Sequence, residues 1–318
     1  MKMSPRLQIP LVLFVSALGS LVPSAASAYV REVTSTGIAV SWRNPCILMQ
    51  IFLGDIPPVL TADQFLQAAT TAASVWSQPT LACSDIRLSV IPNVLPTADV
   101  ADDNKNVIVF RRQTWCSSSS PTANPNDTTC YADSALAVTT LFKNKKTGQL
   151  LDADIAFNAV DYAWGDLVAL PDLTAGPTPT VDFQNALTHE LGHVIGLDHS
   201  CFTASDNEPR LLDNNGQPAI DCYGSALPQS IADSTMFPSV SLNDIERRDL
   251  APDDEQGVCD IYPYTHATCP APAEDGGCST LSSRGPKPSS RGRTAPIAAA
   301  GFLFALLVLA SRRRSKQI

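Results

Sequence analysis

Three of the four histidines in this chain lie within one short stretch that also holds a glutamate. The stretch reads His189-Glu190-Leu191-Gly192-His193-Val194-Ile195-Gly196-Leu197-Asp198-His199. On a helix with about 100° per residue, His189 and His193 are about 40° apart, so their imidazoles project from one face. Two imidazoles on one helix face can converge on a single ion, and zinc favours such nitrogen ligands.

The residues after this pair predict a third ligand. Gly196 allows the helix to end and the chain to turn back, because glycine adopts positive φ without strain. His199 can then return towards the first two histidines. Three protein ligands leave the fourth position of a tetrahedral zinc to water, which is the arrangement of catalytic sites. The fourth histidine, His266, lies in a Pro/Thr-rich segment, and we assign no role to it.

Glu190 follows the first predicted ligand and is the candidate general base. Zinc lowers the pKa of a bound water from ~15.7 towards ~7, so a carboxylate can take its proton at neutral pH. The carboxyl group can then protonate a leaving amine. A coincidental array of surface or core histidines is the alternative. It is disfavoured because the apolar residues of this helix cluster on a different face, at Phe183, Leu187, Leu191 and Val194.

The elements that position this motif can be predicted from local patterns. The ligand helix is predicted from Asp182 to about Gly196. A capping box at Thr61 starts an earlier helix that Pro79 closes, and a third helix is predicted over residues 252–262. Short alternating or β-branched runs predict strands over residues 38–42, 86–91, 106–110, 135–142 and 154–158. This order favours an α+β fold with one mixed sheet.

The extended motif resembles that of the metzincin zinc metalloproteases, and within them the matrixin-like branch. The segment Ser234-Thr235-Met236-Phe237-Pro238 is similar to the family's Met-turn, in which a methionine lies beneath the metal as an apolar floor. Trp76 is similar to a tryptophan late in the family's first helix.

Two further segments carry the same resemblance. Residues 248–258, with the pair Asp253-Asp254, are similar to the family's closing helix. We interpret this acidic pair as a helix-start and packing feature. Residues 154–158 are similar to the edge strand beside the cleft.

The resemblance spans residues 38–262 and implies a zinc-dependent endopeptidase that hydrolyses peptide bonds of extracellular proteins. The implied fold is α+β and metzincin-type. It has a mixed, mostly parallel twisted sheet, three helices, and a zinc cleft between a larger N-terminal and a smaller C-terminal subdomain. The implied ligands are His189, His193 and His199, with Glu190 as general base. The alternative is a catalytically inactive metzincin-like domain that serves as a surface binding or adhesion module.

The chain also departs from the family pattern. The segment from His199 to Met236 is long and contains two cysteines, so we expect an inserted, disulfide-closed loop beside the cleft. Ala156 stands where matrix metalloproteinases carry a histidine for a second, structural zinc, which makes that second site doubtful. Acidic residues nearby are candidate ligands for Ca²⁺: Asp152, Asp154 and Asp161.

Nine cysteines without a CxxC spacing indicate disulfides formed after export. Cys278, in the segment Gly276-Gly277-Cys278-Ser279, is expected to stay outside these pairs. The other eight allow 105 pairings. We expect the sequential set, which joins Cys46 to Cys83, Cys116 to Cys130, Cys201 to Cys222, and Cys259 to Cys269.

Both ends of the chain resemble sorting segments. Residues 1–28 combine a basic start, an apolar run and Ala26-Ser27-Ala28, which is typical of a secretory signal peptide. Residues 295–310 form an uncharged, mostly apolar run that precedes three arginines, which predicts a membrane segment with its arginines on the cytoplasmic side. Together with Cys278, this tail resembles the MYXO-CTERM tails of exported bacterial proteins. A sorting protease is therefore a candidate partner, and the tail would either anchor the protein or be processed.

The predicted organisation is a signal peptide (1–28), a catalytic domain (29–265), a disordered linker (266–294), and a transmembrane segment with a basic tail (295–318). Residues 29–283 hold 12 basic and 31 acidic side chains, a formal balance of −19. Such an acidic body is a poor fit to nucleic acid. We expect a monomer at the surface of the bacterial envelope or secreted from it. It would act on protein or peptide substrates and contact the membrane only through its C-terminal segment.

Overall fold

The computed structural model describes residues 28–77, 80–93, 97–116, 130–175, 180–203, 210–270 and 316–317. The predicted signal peptide before Ala28, most of the predicted linker and the apolar run 295–310 lie outside the described residues. Within the described part of the chain, no helix is long and apolar enough to cross a membrane. The described body is a mixed α/β structure built on one six-stranded sheet.

Ten short strands occur along the described residues, and six of them form the main sheet. In chain order they are β1 (Val30–Arg31), β2 (Cys46–Phe52), β3 (Arg87–Asn93), β4 (Val107–Arg111), β5 (Ala137–Lys143), β6 (Leu150–Asn158), β7 (Ala163–Gly165), β8 (Thr180–Asp182), β9 (Leu197–Asp198) and β10 (Lys316–Gln317). The order across the main sheet is β10-β5-β6-β4-β2-β3. The strands β3, β2, β4 and β6 run parallel, and β5 pairs antiparallel with both β6 and β10. The prediction of a mixed, mostly parallel sheet is confirmed.

The helices lie where the sequence predicts them, with short additions. They are α1 (Ala62–Val75), α2 (Phe183–Val194), α3 (Gln229–Ala232) and α4 (Pro252–Ile261), and 3-10 turns cover Pro171–Ala175 and Glu246–Arg248. The capping box of α1 is present, with the Thr61 hydroxyl accepting from the Gln64 N–H. Asp182 caps α2 by accepting the N–H of Asn185 at 2.8 Å. Caps are local interactions, so the sequence alone predicts them.

The prediction misses β2 and places a strand at residues 38–42 instead. β2 reads Cys-Ile-Leu-Met-Gln-Ile-Phe, and this nearly continuous apolar run is typical of a strand between parallel neighbours. Residues 38–42 alternate as a half-exposed strand would. There, however, Ala39 and Ser41 form only isolated bridges, to Val33 and Gln149. Alternation therefore identified a peripheral segment rather than the central strand.

Alternating side chains of β4 divide the core between the two faces of the sheet. Ile108 and Phe110 belong to the large cluster that includes α1 and α2. Val107 and Val109 belong to a smaller cluster on the opposite face. Aromatic rings with centroids 4.9–6.4 Å apart fill the large cluster, namely Phe65, Phe110, Phe157, Trp164 and Phe183. Both faces of the sheet are thus covered, and the ligand helix α2 is buried against one of them.

The expected edge strand is an interior strand. Residues 154–158 form the second half of β6, which lies between β4 and β5. The strand beyond β6 is β5, and its outer side pairs with the two residues of β10. The near-complete burial of β6 follows from this interior place. A sequence likeness over five residues does not distinguish neighbouring strands of one sheet, and the edge assignment was wrong because both β5 and β10 lie outside β6.

Four disulfides close the described body, and two of the expected pairs are wrong. Cys116–Cys130 and Cys201–Cys222 are present as expected. The other four cysteines pair across the chain, as Cys46–Cys269 and Cys83–Cys259, instead of sequentially. These long-range pairs form because the segment after α4 runs back along the residues just before β3. There the Tyr264 N–H donates to the Cys83 carbonyl at 2.9 Å, and Ser84 forms a bridge with Pro263.

Mass mapping of non-reduced peptides should therefore recover Cys46–Cys269 and Cys83–Cys259. The two short-range pairs serve as internal controls in the same digest. Replacing both Cys83 and Cys259 by Ala should lower the free energy of unfolding by about 3 kcal/mol, since this pair closes a long loop. A peptide joining Cys46 to Cys83 would contradict the described connectivity.

Candidate metal centre

The three histidines of the motif converge in the fold. His189 and His193 lie one turn apart on α2, and the chain beyond α2 brings His199 back to them. The Nε2 atoms of His189 and His193 are 3.2 Å apart. One ligand atom from each of the three rings lies within 4.8 Å of the others. Among the described residues, this is the cluster of histidine, cysteine or acidic side chains that could hold a metal ion.

Backbone carbonyls orient the two helix histidines through their other ring nitrogens. Nδ1 of His189 lies 2.7 Å from the Thr235 carbonyl oxygen, and Nδ1 of His193 lies 3.0 Å from the Leu197 carbonyl oxygen. A carbonyl only accepts, so in the neutral rings both Nδ1 atoms carry the proton and both Nε2 atoms present a lone pair. Two lone pairs facing each other at 3.2 Å repel unless a cation lies between them. The donor set therefore fits a metal that takes nitrogen ligands.

Burial favours the form of His189 that binds metals. All three rings are at most 7% exposed. Burial lowers the pKa of His189 well below its ordinary value. The charges of His193 and Arg247 act in the same direction, and the hydrogen bond to Thr235 opposes them. A neutral imidazole is the state that coordinates a metal ion.

The turn between the second and third histidines requires a glycine. Gly196 has φ +96°, and a Cβ there would lie 2.8 Å from the Val40 carbonyl oxygen. Beyond it, β9 pairs antiparallel with β1. The Asp198 carboxylate accepts the backbone N–H of His199 at 2.6 Å. Strand β1 thus holds β9, the strand that immediately precedes His199.

Met236 packs directly against the ligand helix at Gly192, the residue before His193. A Cβ at Gly192 would lie 2.2 Å from the Met236 Sδ and 3.1 Å from the Trp76 ring, so only glycine permits this approach. The Ser200 N–H donates to the Met236 carbonyl at 2.9 Å, which ties the chain after His199 to the same residue. The Trp76 indole N–H donates to the Thr188 carbonyl at 2.8 Å.

A buried carboxylate holds the carbonyl that orients His189. Asp254, near the start of α4, accepts the N–H groups of Thr235, Met236 and Ala251 at 2.7, 3.3 and 3.2 Å. Burial raises the pKa of Asp254 above its ordinary value, the charge of Asp253 adds to this effect, and the N–H donors oppose it. From the sequence we interpret the acidic pair as a helix-start and packing feature. Asp254 fills that role and also fixes the backbone of Thr235, whose carbonyl contacts His189.

Glu190 lies between the two helix histidines in sequence and is completely buried. Its Oε2 accepts a hydrogen bond from the hydroxyl of Thr139 on β5. Its Oε1 is buried and has no hydrogen-bond partner among the described residues. Burial raises the pKa of Glu190 to about 8, and the Thr139 hydroxyl opposes that shift. A carboxyl group with one oxygen held and the other uncommitted is suited to take up and release a proton.

The proposed calcium ligands have other roles in the fold. The Asp154 oxygens accept the N–H groups of Val107 and Ala101, and those of Asp152 accept N–H groups of Asp103, Asn104 and Ala153. Asp161 accepts from the Asn158 amide at 2.9 Å. Asp152 and Asp154 thus anchor the loop before β4, Asp161 contacts the end of β6, and the described residues give no support to calcium. His266 lies apart from the cluster, where its ring contacts that of Tyr264.

Sequence reasoning missed the contacts that complete the centre. Thr139 is 51 positions from Glu190, and Thr235 is 46 positions from His189. No local spacing predicts either contact, because each depends on how β5 and the Met236 segment pack on α2. The resemblance to the Met-turn was the one signal that pointed to this second segment.

No protein-family model matches the chain, and a search of curated proteins also gives no match. The crystal structure of myroilysin is among the solved structures that match. It superposes with a TM-score of 0.34 at 13% sequence identity, covering 71% of this chain and 86% of that chain. A structural similarity this low shows neither the family nor the activity of the chain. The functional proposal therefore rests on the geometry of the site.

Replacing Asp254 by Asn should lower the free energy of unfolding by about 2–3 kcal/mol, because an amide NH2 would face backbone N–H donors in a buried place. It should also weaken zinc binding about tenfold, since the carbonyl that orients His189 would lose its support. Thermal unfolding and a chelator competition measure the two effects.

The neighbouring Asp253→Asn variant is the matched control. The carboxylate of Asp253 accepts only local N–H groups of its own helix start, and its Oδ2 has no hydrogen-bond partner among the described residues. This variant should change stability by less than about 1 kcal/mol. Equal losses in the two variants would contradict the role given to Asp254.

Proposed function

We propose that this protein is an exported zinc-dependent endopeptidase of the metzincin type, similar to the matrixins. One observation carries the proposal, namely three buried imidazoles that converge beside a buried glutamate with one uncommitted oxygen. In this proposal His189, His193 and His199 hold the metal, and Glu190 is the general base.

The chain's own residues would perform the proton transfers. When bound, zinc would supply Lewis-acid polarisation of the scissile carbonyl and would lower the pKa of a water molecule. Glu190 would take the proton of the attacking water at Oε1 and later donate it to the leaving amine nitrogen. The carbonyls of Thr235 and Leu197 hold the rings of His189 and His193 throughout, so the ligand geometry need not change during the reaction.

Several features support the metzincin assignment within this proposal. Gly196 provides the turn that returns His199, and Met236 packs against α2 at Gly192, which supports the likeness to a Met-turn. Four disulfides are typical of proteins in oxidising compartments. We therefore propose an extracellular or surface location and a protein or peptide substrate. Anchoring or processing through the tail that follows Cys278 remains part of the proposal, and either event would require β10 to leave its place beside β5.

Replacing Glu190 by Gln should keep zinc bound and lower kcat by about 10²–10⁴-fold, because the amide cannot take the proton of the water. The measurement is hydrolysis of a generic protein substrate such as casein, with the metal content of each sample determined in parallel. Zinc-loaded wild-type protein without any hydrolysis would support the inactive binding domain instead. A Glu190→Gln variant within tenfold of wild type would refute the mechanism.

Replacing His199 by Ala should release zinc at least about tenfold more readily, since two nitrogens hold the ion more weakly than three. Zinc per chain after dialysis against a mild chelator gives the answer. His266→Ala is the matched control, because this histidine lies outside the cluster and should retain the full metal content. An unchanged stoichiometry in His199→Ala would place the third ligand elsewhere.

A further inference from the structure

One hydroxyl group contacts the proposed general base from across the fold. Thr139 lies on β5 and is 2% exposed. Its Oγ1 donates to Oε2 of Glu190 and lies 3.4 Å from the backbone carbonyl oxygen of the same residue. Among the described residues, the other side-chain oxygen of Glu190 has no hydrogen-bond partner. The position of the glutamate side chain therefore depends on this contact.

The sheet holds the Thr139 hydroxyl in place. Thr139 is in register with Ile155 of β6, which lies inside the sheet between β5 and β4. Ala137 and Leu141, two positions before and after it, pack in the large core cluster on the same face. A β-branched side chain has few allowed χ1 rotamers, so a threonine fixed at its backbone also fixes its hydroxyl.

We propose that Thr139 is a positioning residue for Glu190, and this inference rests on the proposed function. A glutamate has three rotatable side-chain bonds, and a general base must lie within a fraction of an ångström of its working geometry. Because the Thr139 hydroxyl holds Oε2, Oε1 is left as the atom that exchanges the proton. The sheet thereby determines which carboxylate oxygen exchanges the proton, and it keeps that oxygen in one orientation.

The test compares Thr139→Val, which removes the hydroxyl with little change of shape, and Thr139→Ser, which keeps it. Thr140→Val is the matched control, because the next residue of the strand faces the opposite side of the sheet. Thr139→Val should lower kcat by about 10–100-fold, with KM changed less than threefold and zinc content unchanged. Thr139→Ser should stay within about fivefold of wild type, and Thr140→Val within about twofold.

A second readout does not depend on activity. In the metal-free protein, Thr139→Val should lower the melting temperature by about 4 °C, because a buried carboxyl group loses its donor. In a Glu190→Ala background the same replacement should cause no decrease, since the hydroxyl then has no carboxylate to hold. Equal decreases in both backgrounds would show that Thr139 acts only through packing.

The outcomes separate this inference from the function on which it rests. A Thr139→Val enzyme within threefold of wild-type kcat, or a Thr139→Ser enzyme as impaired as Thr139→Val, would overturn the positioning role while leaving the endopeptidase intact. Wild-type protein that binds zinc but hydrolyses nothing would instead remove the proposed function. In that case the melting temperatures of Thr139→Val in the wild-type and Glu190→Ala backgrounds still show whether Thr139 holds Glu190.

Discussion

The convergence of three imidazole rings in a buried space is the constraint on which the rest of the structure depends. Lone pairs that face one another at 3.2 Å repel, and burial prevents water from relieving that repulsion. Such an arrangement persists only if each ring is also fixed by a contact on its side away from the other rings. The carbonyls of Thr235 and Leu197 do this for His189 and His193. The segments that carry those carbonyls must then be fixed in turn.

Each supporting segment is held by interactions from distant parts of the chain. The Thr235 backbone is fixed by Asp254, and the surrounding loop is crossed by Arg247, whose guanidinium donates to the carbonyls of Ala232, Ser234 and Ser239. The Leu197 segment pairs with β1. Every residue of α2 is buried, and the helix contacts both the Glu246–Arg248 turn and β9. The ligand helix is thus the element around which the C-terminal half of the body is organised.

The parts that the sequence predicts are those set by local rules. Thr61 and Asp182 cap their helices through neighbours three residues away, and the spacing of His189, His193 and His199 follows from one helix and one glycine turn. The parts that it does not predict are set by long-range packing. β2 is a nearly continuous apolar run between parallel neighbours, and the return of the C-terminal segment brings Cys269 to Cys46 and Cys259 to Cys83. The contact of Thr139 with Glu190 belongs to the same class, since β5 meets α2 only in the folded chain.

Each of the two long-range disulfides closes a covalent ring that contains most of the described body. Cys46–Cys269 spans 223 positions and Cys83–Cys259 spans 176, and residues 189–199 lie inside both rings. A peptide bond cut in any loop between Cys83 and Cys259 therefore opens a ring without releasing a fragment. The two pieces stay joined through sulfur, and the core that surrounds α2 keeps them in register. A nick in a surface loop therefore leaves His189, His193 and His199 on a covalently connected framework, and only reduction would separate the pieces.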